Sequence, residues 1–312
     1  MLDISRILKS DRVAKAMIGL TSLEFQELTE KFGEQWDLAE ARRVAQQNRI
    51  RKPGGGGKPF LGDHTMRLLF ILLYYRVYPT QDVMGVLFSM CQSAVCRYVK
   101  LLSPLLKATL GHDLQLPART EISSLPELFE RYPELIFLMD ATERPIPRPK
   151  DSERQKKVYS GKKKRHTLKN TIVSTAMDKR VIFLGKTRSG TVHDKKAAEE
   201  DLLGFPKGSK VLGDSGYAGM EIPDVTFYRP YKKPRGRELP EAFKTYNHHV
   251  SQIRVRVEHS IAGIKRSRIA RDIYRNRRKG FDDEVMEVSC GLYNYTVDSR
   301  RRSNNPGMGR MM

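Results

Sequence analysis

Two apolar runs in the second half of the chain each arrive at an aspartate, ELIFLMDAT (134–142) and SKVLGDSGY (209–217). Short apolar runs of this length read as buried strands, so Asp140 and Asp214 are expected at strand ends of one sheet. A third acid is placed differently. Glu258 lies in IRVRVEHSIAGIKR (253–266), within a stretch whose apolar residues Phe243, Tyr246, Val250, Ile253, Val257, Ile261 and Ile264 recur at steps of three and four. That spacing predicts a helix with one buried face. Glu258 falls about 100° from Val257, at the edge of the buried stripe rather than inside it.

The sequence around these acids predicts five strands: 135–142, 166–177, 180–189, 210–217 and 225–230. A helix over 193–203 opens with His193 and Asp194 as its cap, a long helix spans 240–268, and a last one covers 281–297. The expected fold class is α/β, a mixed five-stranded sheet covered by helices. Before Pro117 the period is helical throughout. Thr21 and Glu24 form a capping box at the start of a helix, and RKPGGGGKP (51–59) predicts a flexible joint. A helix over 62–78 follows. Beyond Pro79 come two more, one from Thr80 and one opening with Gln92 and Ser93, joined by a short turn. This spacing fits a helix-turn-helix, with Gln92, Ser93, Arg97 and Lys100 facing a major groove, and it also fits a plain helical hairpin. The predicted organisation is a helical region (1–50), a linker (51–59), a helix-turn-helix region (60–116), a catalytic domain (117–300) and a disordered tail (301–312).

Charge narrows the partner. The chain carries 57 Lys and Arg against 36 Asp and Glu, a formal net charge of +21, which suits a polyanion and nucleic acid first. A membrane is the competing polyanion, but the longest apolar run, LLFILLYY, is far short of a span. The opening MLDISRILKSDR lacks the apolar core of a signal peptide, and three cysteines without metal-ligand spacing read as buried thiols in a reducing compartment. The chain therefore reads as intracellular. Between Arg144 and Lys169 stand eleven Lys and Arg against two acids, centred on Lys162, Lys163, Lys164 and Arg165. Such a run neutralises phosphates without reading bases, or else is simply a solvated face.

Taken singly, an Asp after a strand also caps turns, and a helical Glu among arginines also forms surface ion pairs. Taken together, the three carboxylates can converge on a pair of Mg²⁺ ions, which prefer oxygen ligands and activate an attacking oxygen at a phosphodiester. Arg254 and Lys265 share the Glu258 face of the predicted helix, one turn before and two turns after it, where cations grip phosphate. The histidines are scattered and do not suggest a nitrogen-ligand site.

The ordered stretches LMDATERPIPRP, YSGKKKRHTLK, GTVHDKKA, LGDSGYAG and RVRVEHSIAGIKR, between residues 135 and 268, resemble the DDE transposases of bacterial insertion sequences, in the branch related to eukaryotic Harbinger transposases. The resemblance implies an RNase H-like fold and two Mg²⁺ ions, with Mn²⁺ as a substitute, held by Asp140, Asp214 and Glu258. It implies cleavage at the ends of a mobile element and strand transfer into target DNA. The implied partners are double-stranded terminal inverted repeats, the target duplex and a second copy of the chain. Relatives often carry a Tyr, Arg, Glu, Lys signature around the last acid. Here Arg254, Glu258 and Lys265 match, while Ser251 stands at the tyrosine position. A DNA-binding protein without catalysis and an RNase H-like nuclease of another substrate are the rival readings.

Overall fold

The computed structural model describes residues 2–46, 59–120, 122, 132–201 and 203–304. The expected joint at 51–59 lies outside the described residues except for Pro59, and so does the tail from 305 on. The chain divides into two compact units: residues 1–115 with 266–270 and 298–312, and residues 116–265 with 271–297.

The first unit is helical: α1 (Ile4–Leu8), α2 (Asp11–Met17), α3 (Ser22–Ala45), α4 (His64–Val77), α5 (Gln81–Phe88) and α6 (Gln92–His112). The capping box forms as expected, with Thr21 Oγ1 accepting from Glu24 N–H (3.1 Å) and Glu24 Oε2 accepting from Thr21 N–H (2.7 Å). Helix α4 is apolar all round, and eight consecutive residues from Leu68 to Tyr75 are buried, which makes it the central helix of this unit. Helices α5 and α6 meet through a turn. Ser89 takes a left-handed conformation (φ 55°), and Met90 N–H returns to the Gly85 carbonyl at 2.9 Å. A Cβ at Gly85 would stand 2.6 Å from the Met90 carbonyl oxygen, so only glycine fits this approach. We expect Gly85→Ala to cost about 1–3 kcal/mol, the usual penalty of overpacking, measured by denaturant unfolding. Helix α6 passes through Pro104 without ending. Cys91, expected as a buried thiol, is exposed in the turn ahead of α6, where its sulfur meets the Ser93 hydroxyl at 3.2 Å. Cys290 is the buried one.

The second unit holds a mixed sheet of β1 (Ile136–Pro145), β2 (Tyr159–Ser160), β3 (Arg165–Thr175), β4 (Val181–Leu184), β5 (Arg188–Ser189), β6 (Lys210–Leu212) and β7 (Thr226–Tyr228). Its helices are α7 (Ser152–Val158), α8 (Asp194–Glu200), α9 (Glu241–Ile264) and α10, which starts at Phe281 and runs to Asn304. The order is β2-β3-β1-β6-β7, with β4 and β5 also paired to β3. Strands β1 and β3 are antiparallel, whereas β1, β6 and β7 run parallel.

Among the described residues seven strands stand in place of the five expected, for two reasons. The predicted strand 180–189 is interrupted: Gly185 sits so close to Thr171 and Asp201 that a Cβ would clash, and Asn170 Nδ2 donates to the Gly185 carbonyl (3.0 Å) and Thr187 Oγ1 (2.9 Å). The chain bends there and resumes as β5. The second reason is β2, which pairs with the start of β3. Helix α10 also runs beyond 297, carrying residues 301–304 where a tail was expected.

Two apolar layers flank the sheet. Phe137, Met139, Val173, Ala198 and Tyr217 pack on one side. Leu138, Ala176 and Leu212 pack against Val250 and Val257 of α9 on the other. Because strand side chains alternate, Asp140 shares its face with Leu138 and therefore with α9.

Candidate active site

Asp140 does not end its strand. Residues Ala141 to Pro145 continue β1 by pairing with β3, from Ala141 opposite Thr171 to Pro145 opposite Thr167. What ends at Leu138 is the parallel pairing with β6, opposite Leu212. Asp140 thus stands two residues past the last pair on β1, and Asp214 two residues past it on β6. The two carboxylates leave neighbouring parallel strands at the same level. Asp214 also caps the turn of residues 215–217, its Oδ1 accepting from Gly216 N–H at 2.6 Å.

Asp194 also stands beside Asp214. The Cβ that Gly216 lacks would lie 2.7 Å from Asp214 Oδ1 and 3.5 Å from Asp194 Oδ2, so both acids face one small space. Asp194 is the first residue of α8, behind the N-cap His193, whose Nδ1 accepts from Lys195 N–H. Its other oxygen is fixed by Lys169, whose Nζ donates to Asp194 Oδ1 and to the Val192 carbonyl, both at 2.7 Å. Lys169 also lies 3.8 Å from Glu143 Oε1, and all three side chains are largely shielded. By sequence Lys169 ends a basic run that suits phosphates or a solvated face, and Asp194 belongs to a helix cap. Arg144 leaves that run as well, because it is buried, with its guanidinium 4.6 Å from the centre of the Tyr274 ring.

Burial pushes the Asp140 carboxyl above its ordinary pKa, while the Ala141 N–H and the Arg254 guanidinium hold it down and the Asp214 and Asp194 carboxylates push it up. Burial likewise raises the Tyr217 hydroxyl well above its usual value, with Asp140, Asp194 and Asp214 adding to the effect. Both the Tyr217 hydroxyl and Arg254 Nε are buried without a hydrogen-bond partner. Such orphaned groups beside clustered carboxylates are characteristic of a site that completes itself with a ligand.

Glu258 is on α9 as expected, one residue after the fully buried Val257, and its side chain is exposed. Arg254 and Lys265, which bracket it along the helix, both feel the charge of Asp140. Lys265 Nζ donates to the Glu143 carbonyl at 3.1 Å, and burial, then Lys163, lower its pKa while Glu143 and Asp140 raise it. Lys162, Lys163 and Lys164 are exposed on the turn between β2 and β3, and Arg165 is exposed at the start of β3. In the first unit Gln92, Ser93, Arg97 and Lys100 are all exposed on α6, with the Gln92 side chain bonded to Gln81.

The donor set is all oxygen, which suits a hard divalent cation. Asp140 is the strongest sign of fit, since a half-buried carboxylate opposed by two others is relieved by a cation among them. Among the described residues no three His, Cys, Asp or Glu side chains are already drawn into a metal-holding group. Nor is any described helix long and apolar enough to cross a membrane.

A mixed sheet that carries Asp140 and Asp214 two residues past the last parallel pair of β1 and β6, under the helix that bears Glu258, has the layout of a metal-dependent nuclease. Residues 139–294 match the family described as DDE superfamily endonuclease, and residues 65–111 match the helix-turn-helix of DDE superfamily endonuclease. The chain belongs to the DDE superfamily endonucleases, enzymes that use divalent metal ions. It is 33% identical, over 81% of its length and 87% of the relative's, to a protein of Microchaete diplosiphon described as a transposase for insertion sequence element IS702. It is 26% identical, over 76% of its length and 80% of the relative's, to one of Streptomyces albus G described as a transposase for insertion sequence element IS112.

Proposed function

We propose that this DNA transposase cuts at the terminal inverted repeats of an insertion sequence and joins the freed 3′-hydroxyls to target DNA. Asp140, Asp214 and Glu258 hold two Mg²⁺ ions in this reading, with Mn²⁺ as a substitute. The observation that carries it is the half-buried Asp140, set beside Asp214 and on the sheet face covered by the Glu258 helix. When bound, divalent cations lower the pKa of the attacking oxygen and neutralise charge on the phosphate. In the first step water bonds to phosphorus and the P–O3′ bond breaks, releasing a 3′-hydroxyl. In the second that hydroxyl attacks a target phosphodiester and displaces the target strand's own 3′-oxygen.

The remaining residues bind and orient. Arg254 carries its charge beside Asp140, where it attracts a phosphate group. Lys265, anchored to the Glu143 carbonyl, and the exposed Lys162 to Arg165 turn track the strand leading to the scissile bond. We assign duplex recognition to 60–116, with Gln92, Ser93, Arg97 and Lys100 toward the groove, and the chemistry to 117–300. Two ends must be cut and joined together, so the active assembly contains two copies of the chain.

The test is incubation with Mg²⁺ and a duplex carrying the inverted repeats that flank the gene. Nicks ending in 3′-hydroxyls, followed by joined products, are expected, and no metal-dependent cleavage of any such duplex would refute the reading. Arg97→Ala and Lys100→Ala should each lower the slope of log affinity against log salt by about one. A slope unchanged in both variants would move recognition off α6.

A further inference from the structure

The apolar layer of the sheet on the side away from α9 contains a hydroxyl that packing does not explain. Tyr217 is fully buried in the layer that also holds Phe137, Phe205, Ala198 and Met220, where phenylalanine serves elsewhere. Its hydroxyl has no hydrogen-bond partner among the described residues. A buried donor left in that state costs stability, and a group of this kind calls for a cause.

The ring is held firmly where it stands. The turn of residues 215–217 is closed by Tyr217 N–H on the Asp214 carbonyl (3.2 Å), and Met220 N–H donates to the Tyr217 carbonyl (3.0 Å). Beside the ring, Gly213 leaves room that a side chain would take. A Cβ there would lie 3.0 Å from Tyr217 Cδ2 and 2.7 Å from Phe227 Cζ, and the two rings stand 6.2 Å apart between centroids.

Burial, then Asp140, Asp194 and Asp214 in that order, raise the pKa of the hydroxyl well above its usual value. It therefore keeps its proton and faces the carboxylates as a donor. Each of these already takes a donor on one oxygen: Asp140 Oδ1 the Ala141 N–H (2.7 Å), Asp194 Oδ1 the Lys169 ammonium (2.7 Å) and Asp214 Oδ1 the Gly216 N–H (2.6 Å). The second oxygen of Asp140, the acid that acts on Tyr217 most strongly, has no donor among the described residues.

We propose that Tyr217 is a positioning residue of this endonuclease: its hydroxyl donates to the second oxygen of Asp140 and fixes the orientation in which that carboxylate meets a divalent cation. Hydrogen bonds to the groups that hold a metal orient them and raise their affinity for it, and in catalytic sites such bonds tighten only when the ligand binds. The assignment rests on the reading of Asp140 as a metal-holding residue.

Mn²⁺ is titrated into the full chain for the parent, Tyr217→Phe and Asp140→Asn, with free Mn²⁺ read by electron paramagnetic resonance. Tyr217→Phe is expected to weaken binding by about ten- to a hundredfold, the usual loss when the hydrogen-bond partner of a metal ligand is removed. Without metal the same variant should melt about 2–4 °C higher than the parent, because it no longer buries a hydroxyl without an acceptor. A packing role gives no such pair of opposite effects, since phenylalanine keeps the ring. Unchanged Mn²⁺ affinity in Tyr217→Phe, or a lower melting temperature without metal, would overturn the proposal. If Asp140→Asn loses Mn²⁺ while Tyr217→Phe binds like the parent, this inference fails alone. If Asp140→Asn also binds like the parent, or the parent takes up no Mn²⁺, the reading of the acid cluster fails and this one with it.

Discussion

Asp140→Asn should abolish DNA cleavage and, in the same protein, raise the unfolding temperature measured without metal at neutral pH. The first effect follows from removing one charge from the group that holds the cations. Their stabilisation of the transition state amounts to several kcal/mol, or about a thousandfold or more in rate. The second follows from burial. Folding takes the Asp140 carboxyl out of water and sets it near Asp214 and Asp194, and its pKa rises. A carboxyl whose folded pKa exceeds its unfolded value favours the fold in its protonated form, so this contribution is present below the unfolded pKa and is lost as pH rises through the folded one. The asparagine variant cannot ionise, so its advantage should appear at neutral pH and shrink toward acid. Saturating divalent cation should reverse the order, because it stabilises the parent chain by mass action. Thermal melts at two pH values, with and without MnCl₂, check all of this. A variant less stable than the parent at neutral pH without metal would show that Asp140 serves the fold rather than a ligand.

Lys169→Met is expected to be the most damaging single change to the second unit. The lysine is the shared partner of Asp194 and Glu143, with side-chain exposures of 8%, 17% and 7%. Methionine fills the space but leaves two shielded carboxylates without their cation. Breaking a buried pair in this way costs about 3–5 kcal/mol. The Thr167 hydroxyl still donates to Glu143 Oε2 at 2.6 Å, so the larger part of the loss belongs to Asp194. The double variant Lys169→Met with Asp194→Asn should therefore recover part of the stability, which a double-mutant cycle in urea measures. Additive losses would mean that the two side chains are not energetically coupled.

Patterning made much of this architecture legible. The capping box at Thr21, the two helices around the Ser89 turn and the apolar runs that became β1, β3, β4, β6 and β7 announce themselves through local chemistry. So does α9, whose stripe ends in the buried Val257 with Glu258 beside it. Long-range pairing hid the rest. The continuation of β1 through Thr142, Glu143 and Arg144 looks like a loop by hydropathy, yet β3 holds it in register and buries it. Lys169 and Arg144 look like solvated charges until a tertiary fold supplies Asp194 for one and the Tyr274 ring for the other. In the sequence Asp194 looks only like part of a cap, because its neighbour Asp214 arrives from twenty residues further along.

Two acids compete for the place of third ligand: Asp194, which faces the same small space as Asp214, and Glu258, which is exposed on α9. Titration of Mn²⁺ into the full chain bound to duplex DNA, for the parent, Glu258→Gln and Asp194→Asn, decides it most directly. With Glu258 as the ligand, Glu258→Gln should weaken Mn²⁺ binding by at least about tenfold, and Asp194→Asn should weaken it less, as expected of a neighbour that only orients the site. Undiminished Mn²⁺ affinity in Glu258→Gln, with binding lost in Asp194→Asn, would contradict the assignment of Asp140, Asp214 and Glu258 as the metal-holding set.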